Sequence, residues 1–161
     1  MVALVPISDI EFQALIAEII PGYAIEKTAS GEWPRERSLE LAKAALDHLL
    51  PQGRETRGNF LFTIRDTPSP ENIGTLWMAV RERAGKRIAY IYHISIKPEH
   101  RRKGHATNAL AALEKMAREM RLSGIALHVF GHNTSAQAMY LNLGYKTTDI
   151  NMYKPIEPGH A

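Results

Sequence analysis

The chain has 161 residues and no cysteine, which excludes disulfide staples, thiolate metal sites and a cysteine nucleophile. Its 20 Lys and Arg against 17 Asp and Glu leave a net charge of +3, an excess that suits an anionic ligand but does not by itself argue for nucleic acid. The length fits a single domain, residues 1–161, with enough chain for a core; no apolar run approaches the ~18 residues of a membrane span, and Met1-Val2-Ala3-Leu4-Val5-Pro6 lacks the features of a signal peptide, so no membrane partner and a cytoplasmic location are expected.

A short strand over Ala3–Pro6 is compatible with the N-terminus. Ser8-Asp9-Ile10-Glu11 has the form of a capping box and precedes the helical stripe Phe12, Leu15, Ile16, Ile19 and Ile20. Pro21-Gly22 is expected to end this helix, leaving 21–34 irregular. A second helix is expected from Arg35 to Leu50, with Leu39, Leu46 and Leu49 or Leu50 turned inward. The pattern then changes to period two: strands over 60–64, 73–82 and 87–97, with Ala84-Gly85-Lys86 as a hairpin loop. Links this short require an antiparallel meander. A helix follows from Gly104 to Leu122, then an apolar strand over 125–130. Asn133 can cap a short helix that ends at Gly144, and Tyr145–Pro155 reads as a final extended segment. The crossover from the third strand through a helix to 125–130 is long enough for parallel pairing, so the sheet should be mixed.

The sharpest local pattern is Ile94-Ser95-Ile96-Lys97-Pro98-Glu99-His100-Arg101-Arg102-Lys103-Gly104-His105-Ala106-Thr107. It describes a strand, a basic turn and a helix that opens on small residues. The free N–H groups and positive dipole end of a helix N-terminus attract phosphate, and Gly104 and Ala106 let the backbone approach a ligand closely. The pattern by itself reads as an anion site; a solvated basic turn capping a helix is the other reading it permits. About 30 residues on, Asn133, Ala136 and Tyr140 recur at helical spacing ahead of Gly144-Tyr145, where Asn133 as a plain cap and Tyr140 as a core aromatic are the alternatives.

Arg101-x-x-Gly104-x-Ala106 resembles the pyrophosphate loop of the GNAT superfamily of acetyl-CoA-dependent N-acetyltransferases, and Asn133-x-x-Ala136-x-x-x-Tyr140-x-x-x-Gly144-Tyr145 resembles that family's closing motif. The likeness is strongest over residues 88–155 and topological before that. It implies an α/β fold with a mixed, mostly antiparallel sheet flanked by helices and splayed between the strands at 88–97 and 125–130. It also implies acetyl-CoA as donor and a small-molecule or peptide amine as acceptor. Ile94, Ser95 and Ile96 would run beside pantetheine, and Arg101 through Thr107 (Arg102, Lys103, Gly104, His105 and Ala106 between them) would hold the pyrophosphate. Asn133 and Ala136 would touch the pantetheine arm, and Tyr140 would face the sulfur as the acid for the leaving thiolate. With no cysteine to carry an acyl group, direct transfer in a ternary complex is expected.

Several enzymes of the family carry a glutamate on the third long strand; this chain has Tyr90, Tyr92 and His93 there instead. His93 titrates in the useful range and is the candidate base; a hydrogen-bonded structural histidine, or a water chain serving as the base, are the alternatives. Strict alternation puts His93 on the face opposite Tyr92 and Ile94 unless a bulge changes the phase. Trp33, Trp77 and Tyr92 are the aromatics that could line the acceptor side, with ordinary core or rim aromatics as the equal alternative for each. His128 and His132, and His100 and His105, lack carboxylates at ligand spacing, so no metal is expected. Without an aromatic RNP-type strand motif or a zinc finger, no nucleic-acid partner is expected either. The resemblance leaves room for a homodimer, and for a non-catalytic domain that binds acetyl-CoA as a sensor or scaffold.

Overall fold

The computed structural model describes residues 1–159. Strand β1 (Val2–Pro6) leads into helix α1 (Asp9–Ala29) and helix α2 (Ser38–Leu49). Strands β2 (Asn59–Asp66), β3 (Asn72–Arg83) and β4 (Lys86–Ile96) follow, then helix α3 (His105–Glu119), strand β5 (Ile125–Leu127) and helix α4 (Thr134–Asn142). The sheet order is β1-β2-β3-β4-β5, antiparallel throughout except for the parallel pair β4–β5. The meander, the crossover through α3 and the leading strand are therefore as the sequence implies. At the β3–β4 hairpin, Arg83 pairs with Lys86, and the two loop residues Ala84 and Gly85 have φ of 50° and 76°. Positive φ at both positions is the two-residue turn that matches strand twist.

Two cores lie on the two faces of the sheet. Beneath α3, the fully or nearly buried Leu76, Met78, Ala89, Ile91 and Ile96 meet Ala109, Leu110 and Leu113. On the opposite face, Leu61 and Trp77 meet Phe12, Leu15 and Ile19 of α1 and Leu46 of α2.

Three local expectations are corrected. First, α1 does not stop at Pro21-Gly22 but continues to Ala29. An interior proline costs roughly 3 kcal/mol of helix stability. Here the buried stripe runs through it: Phe12, Leu15 and Ile19 are followed by half-buried Tyr23 and buried Ala24, while Pro21 and Gly22 stay exposed. Packing of the far half offsets the break. The capping box forms as read: the Ser8 hydroxyl accepts from the Glu11 N–H at 3.2 Å, and the Glu11 carboxylate accepts from the Ser8 N–H at 3.1 Å. Second, α2 begins at Ser38 after a 3-10 turn, and its buried face is Ser38, Ala42 and Leu46, a run of i+4 steps that leaves Leu39 59% exposed. Third, the apolar run 125–130 forms a ladder only over Ile125–Leu127, and Tyr145–Pro155 joins no ladder.

Candidate functional site

β4 and β5 pair through Ala89–Ile125, Tyr90–Ala126 and Ile91–Leu127, and there the ladder ends, although β4 continues to Ile96. Beyond Ile91 one edge of β4 is held by β3 and the other is open. This is the splay the resemblance implies. Its cause is visible in the pairing with β3: Trp77 lies opposite His93 and Met78 opposite Ile91, so Tyr92 is an extra residue. Such a bulge bends its strand and raises its twist, turning β4 away from its parallel neighbour. It also changes the phase. Ala89 and Ile91 before it, and Ile94 and Ile96 after it, all pack toward the α3 core. Tyr92 packs instead against the Trp77 core, and His93, directly opposite Trp77, shares that face.

His93 is therefore not on the face strict alternation assigns. Among the described residues its buried Nε2 has no hydrogen-bond partner, and burial alone pushes the imidazole down to about 4. At neutral pH the ring is neutral and able to accept a proton, though weakly basic.

The phosphate-type loop follows β4. After a 3-10 turn at Pro98–His100, Arg102 takes φ 61° and Gly104 takes φ 81°, and α3 starts at His105. The first bond into α3 is Asn108 N–H to the Gly104 carbonyl at 3.0 Å. The N–H groups of His105, Ala106 and Thr107 are thus left without an intrahelical acceptor, at the positive end of a 15-residue helix. A Cβ on Gly104 would meet nothing within 4 Å, so the space in front of the loop is open. Those free donors, the exposed Arg102 and Lys103 and that open space fit a diphosphate.

Arg101 and Lys103 both fold back onto backbone carbonyls, Lys103 Nζ donating to the Glu99 carbonyl at 3.4 Å. The Arg101 Nε donates to the Ile96 carbonyl at 2.8 Å, tying the loop back to the end of β4. The guanidinium is thereby a brace for the loop, and the Ile96 carbonyl is already engaged on the side where pantetheine would lie. On the other side, Gly74 of β3 approaches so closely that a Cβ would stand 2.2 Å from the Ser95 carbonyl. Neither contact is legible in the local sequence; the only hint of the second is a glycine inside an apolar strand.

α4 brings the remaining residues together. The Asn133 side chain accepts from the Ala136 N–H at 3.2 Å, so it caps the helix as read. Gly144, at φ 94°, occupies the residue after the C-cap. Gln137, which sequence reasoning passed over, fastens α4 to the end of the β5 segment by donating to the Phe130 and Gly131 carbonyls at 3.1 and 3.0 Å. Tyr140 packs on the α3-side core with its ring 5.4 Å from that of Tyr145, and burial pushes its hydroxyl above the ordinary tyrosine value. Tyr140 and His93 accordingly flank the open part of β4 from opposite faces.

Of the acceptor-side aromatics, Trp77 is a core residue: it is 2% exposed, and its indole N–H donates to the Asn59 side chain at 2.9 Å. A full burial with its one polar atom satisfied leaves nothing to line a pocket. Tyr92 stacks on it, with centroids 4.7 Å apart, and accepts from Arg81 at 3.3 Å. Trp33 stays half-buried, edge-on to Tyr23 at 5.2 Å, with the Lys27 ammonium 5.7 Å from its ring and 2.6 Å from Glu32. An open-sided space of about 1460 Å³ separates β5 from the C-terminal segment; of the residues read from the sequence as site residues, Tyr140 alone lines it. Among the described residues, no three His, Asp or Glu side chains are grouped to hold a metal ion, and no helix is long and apolar enough to cross a membrane.

A mixed sheet splayed beside a basic, glycine-containing turn that opens a long helix, with a tyrosine on the following short helix, is the architecture of an acetyltransferase. The match to the acetyltransferase (GNAT) family over residues 23–145 places this chain in that family, as an N-acetyltransferase. Enzymes of this family use acetyl-CoA as donor. The chain is 33% identical over 155 residues to the uncharacterized N-acetyltransferase YycN of Bacillus subtilis, covering 96% of this chain and 99% of that one. It is 31% identical to YdgE of the same organism, over 91% of this chain and 92% of the relative. The solved structure of YycN superposes with a TM-score of 0.92 over 98% of this chain and 100% of that one. The fold alone is shared with an aminoglycoside 6'-N-acetyltransferase of Acinetobacter baumannii, at 20% identity and a TM-score of 0.62 over 99% of this chain and 100% of that one.

Proposed function

We propose that this enzyme passes the acetyl group of acetyl-CoA directly to a primary amine held in a ternary complex, with the donor along the open edge of β4 and the N-terminus of α3. The observation that carries this is the set of unused N–H groups at His105, Ala106 and Thr107 behind Gly104, continuous with an unpaired strand edge over 92–96. Charged phosphates suit the first and amide groups of pantetheine suit the second.

Bound acetyl-CoA supplies an activated thioester, whose carbonyl carbon forms a bond to the amine nitrogen as its bond to sulfur breaks. Open backbone N–H groups near Ile94 stabilise negative charge gathering on the carbonyl oxygen. Tyr140, kept protonated by burial, gives its proton to the departing sulfur. The amine must arrive neutral, and at pH 7 fewer than about 1 in 1000 alkylamines are. His93 takes the proton the amine sheds, directly or through water. The absence of cysteine supports transfer without an acyl-enzyme. Half-buried Tyr92 and Trp33 are the remaining aromatic candidates for the acceptor side.

The test is coenzyme A release from acetyl-CoA, followed with a thiol reagent, across polyamines, amino acids, aminoglycosides and peptides, with calorimetry of acetyl-CoA binding alongside. Acceptor-dependent release with no acetylated protein intermediate is the expected result. A chain that ignores acetyl-CoA at millimolar concentration would overturn the proposal, and so would an acetylated protein that turns over.

A further inference from the structure

The two faces of the open part of β4 offer an acceptor different surroundings. On one face Ile91, Ile94 and Ile96 pack into the core beneath α3, and Tyr140 stands with them. On the other stand Tyr92, stacked on Trp77, and His93, opposite Trp77 in the ladder. On the reading proposed above, on which this inference rests, the sulfur departs toward Tyr140 and the amine gives its proton to His93. The acceptor therefore arrives over the His93 face. Whatever lies farther along that face meets the rest of the acceptor molecule.

What lies there is a guanidinium. Trp77, Ala79 and Arg81 follow at steps of two on β3 and share a face. The Arg81 head group has its central carbon 4.6 Å from the Tyr90 ring centroid and 5.9 Å from that of Tyr92, and it donates to the Tyr92 hydroxyl at 3.3 Å. The two tyrosines are half-buried and meet edge-on, with centroids 4.9 Å apart. Tyr92 rests in turn on Trp77, which its bond to Asn59 fixes. An exposed arginine ordinarily loses rotamer freedom when it binds; this one is ordered beforehand. Among the described residues no carboxylate pairs with it. Its one side-chain hydrogen bond is to Tyr92, which leaves most of its N–H donors unused. A guanidinium held by two rings and left without a counter-charge is a fork for a carboxylate.

We propose that Arg81 binds a carboxylate on the acceptor, so that the enzyme selects an ω-amino carboxylate: an amine separated from its carboxylate by several carbons. The spacing follows from the strand. Tyr92 and Tyr90 hold the guanidinium, and at ~3.3 Å per residue they stand roughly 7–13 Å from Ile94, where the acetyl group is proposed to lie. An α-amine is too close to its own carboxylate to reach both places. An extended chain of five methylenes, spanning roughly 7–8 Å between nitrogen and carboxylate carbon, does reach both. The side chain of free lysine and 6-aminohexanoate are both of this kind.

The experiment compares 6-aminohexanoate with hexylamine, which has a methyl group in place of the carboxylate, by coenzyme A release from the full-length enzyme at saturating acetyl-CoA. The expected kcat/KM ratio favours 6-aminohexanoate at least tenfold, mainly through KM. Arg81→Gln should bring the ratio close to one, and Arg81→Glu should turn the preference toward the diamine cadaverine. A second readout needs no turnover: 6-acetamidohexanoate, the product of the reaction, should bind the coenzyme A-loaded enzyme in calorimetry and lose at least tenfold in affinity with Arg81→Gln. A wild type that treats the two amines alike overturns the inference, and so does a preference that survives Arg81→Gln. Absence of 6-acetamidohexanoate binding overturns it as well. Turnover of both amines without preference leaves the acetyl-transfer assignment standing, whereas an enzyme that ignores acetyl-CoA fails that assignment first.

Discussion

The Arg101 side chain donates to the Ile96 carbonyl at 2.8 Å, bracing the phosphate-type loop against the strand that precedes it. Arg102, beside it and equally exposed, makes no side-chain hydrogen bond among the described residues. Two arginines in sequence thus do different work. Arg101→Ala should weaken acetyl-CoA binding about tenfold, the scale of one charged hydrogen bond, and the loss should persist in high salt. Arg102→Ala should weaken binding by less, and by an amount that shrinks as salt screens it. Calorimetry at two ionic strengths separates them; identical salt responses would remove the distinction.

Gly104 divides two effects of substitution. At φ 81° any side chain is strained, but a Cβ there meets nothing. Gly104→Ala should cost about 1–2 kcal/mol of backbone strain and leave the protein able to bind acetyl-CoA. Gly104→Asp adds a carboxylate where the diphosphate is proposed to sit and should reduce affinity at least 100-fold. Equal affinities for the two variants would take the loop out of the binding site.

The depressed His93 gives a signed pH dependence. The folded ring titrates near 4 and an unfolded one near 6.5, so below 6.5 the unfolded chain binds the extra proton. The stability from His93 is complete above pH 6.5 and is lost as pH falls toward 4, by on the order of 3 kcal/mol. His93→Phe should flatten urea-measured stability between pH 6.5 and 4. If His93 is also the base, the acid limb of kcat/KM falls near 4 in the wild type and disappears with the residue.

Tyr140→Phe removes a proton and little volume. It should lower kcat by 10- to 100-fold and change acetyl-CoA affinity by less than threefold, measured by steady-state kinetics and calorimetry. An unaltered rate would return Tyr140 to the core it packs on.

Gly74→Ala tests the close approach of β3 to the donor edge. A Cβ 2.2 Å from the Ser95 carbonyl forces backbone apart. The expected loss is about 1–3 kcal/mol in thermal or urea unfolding, with weakened acetyl-CoA binding in the fraction that folds.

What the sequence made legible was local. The Ser8–Glu11 box, the β2–β4 meander, the loop ahead of α3 and the Asn133 cap depend on neighbours within a few residues. What escaped it was decided at a distance. Pro21 reads as a stop because a proline breaks its own turn, and only packing of Tyr23 and Ala24 against the rest of the fold carries α1 onward. Tyr92 becomes a bulge because Met78 takes Ile91 as partner, a choice made across strands. Trp77 reads equally as pocket or core aromatic until Asn59, 18 residues away, satisfies its indole. Leu39 looks like core until the phase of α2 is set by Ala42 and Leu46.

The three-residue length of β5 has an energetic meaning of its own. Past Leu127 the sheet has hydrogen-bonding capacity it does not spend on itself, so a bound pantetheine arm would serve as the missing strand. Donor affinity and local rigidity then rise together: the amides of Ile94 and Ile96, on the edge of β4 turned away from β3, should exchange with solvent quickly in the free enzyme and slow down once the donor is seated. On the proposed binding mode, the enzyme would finish its own secondary structure with a piece of its substrate.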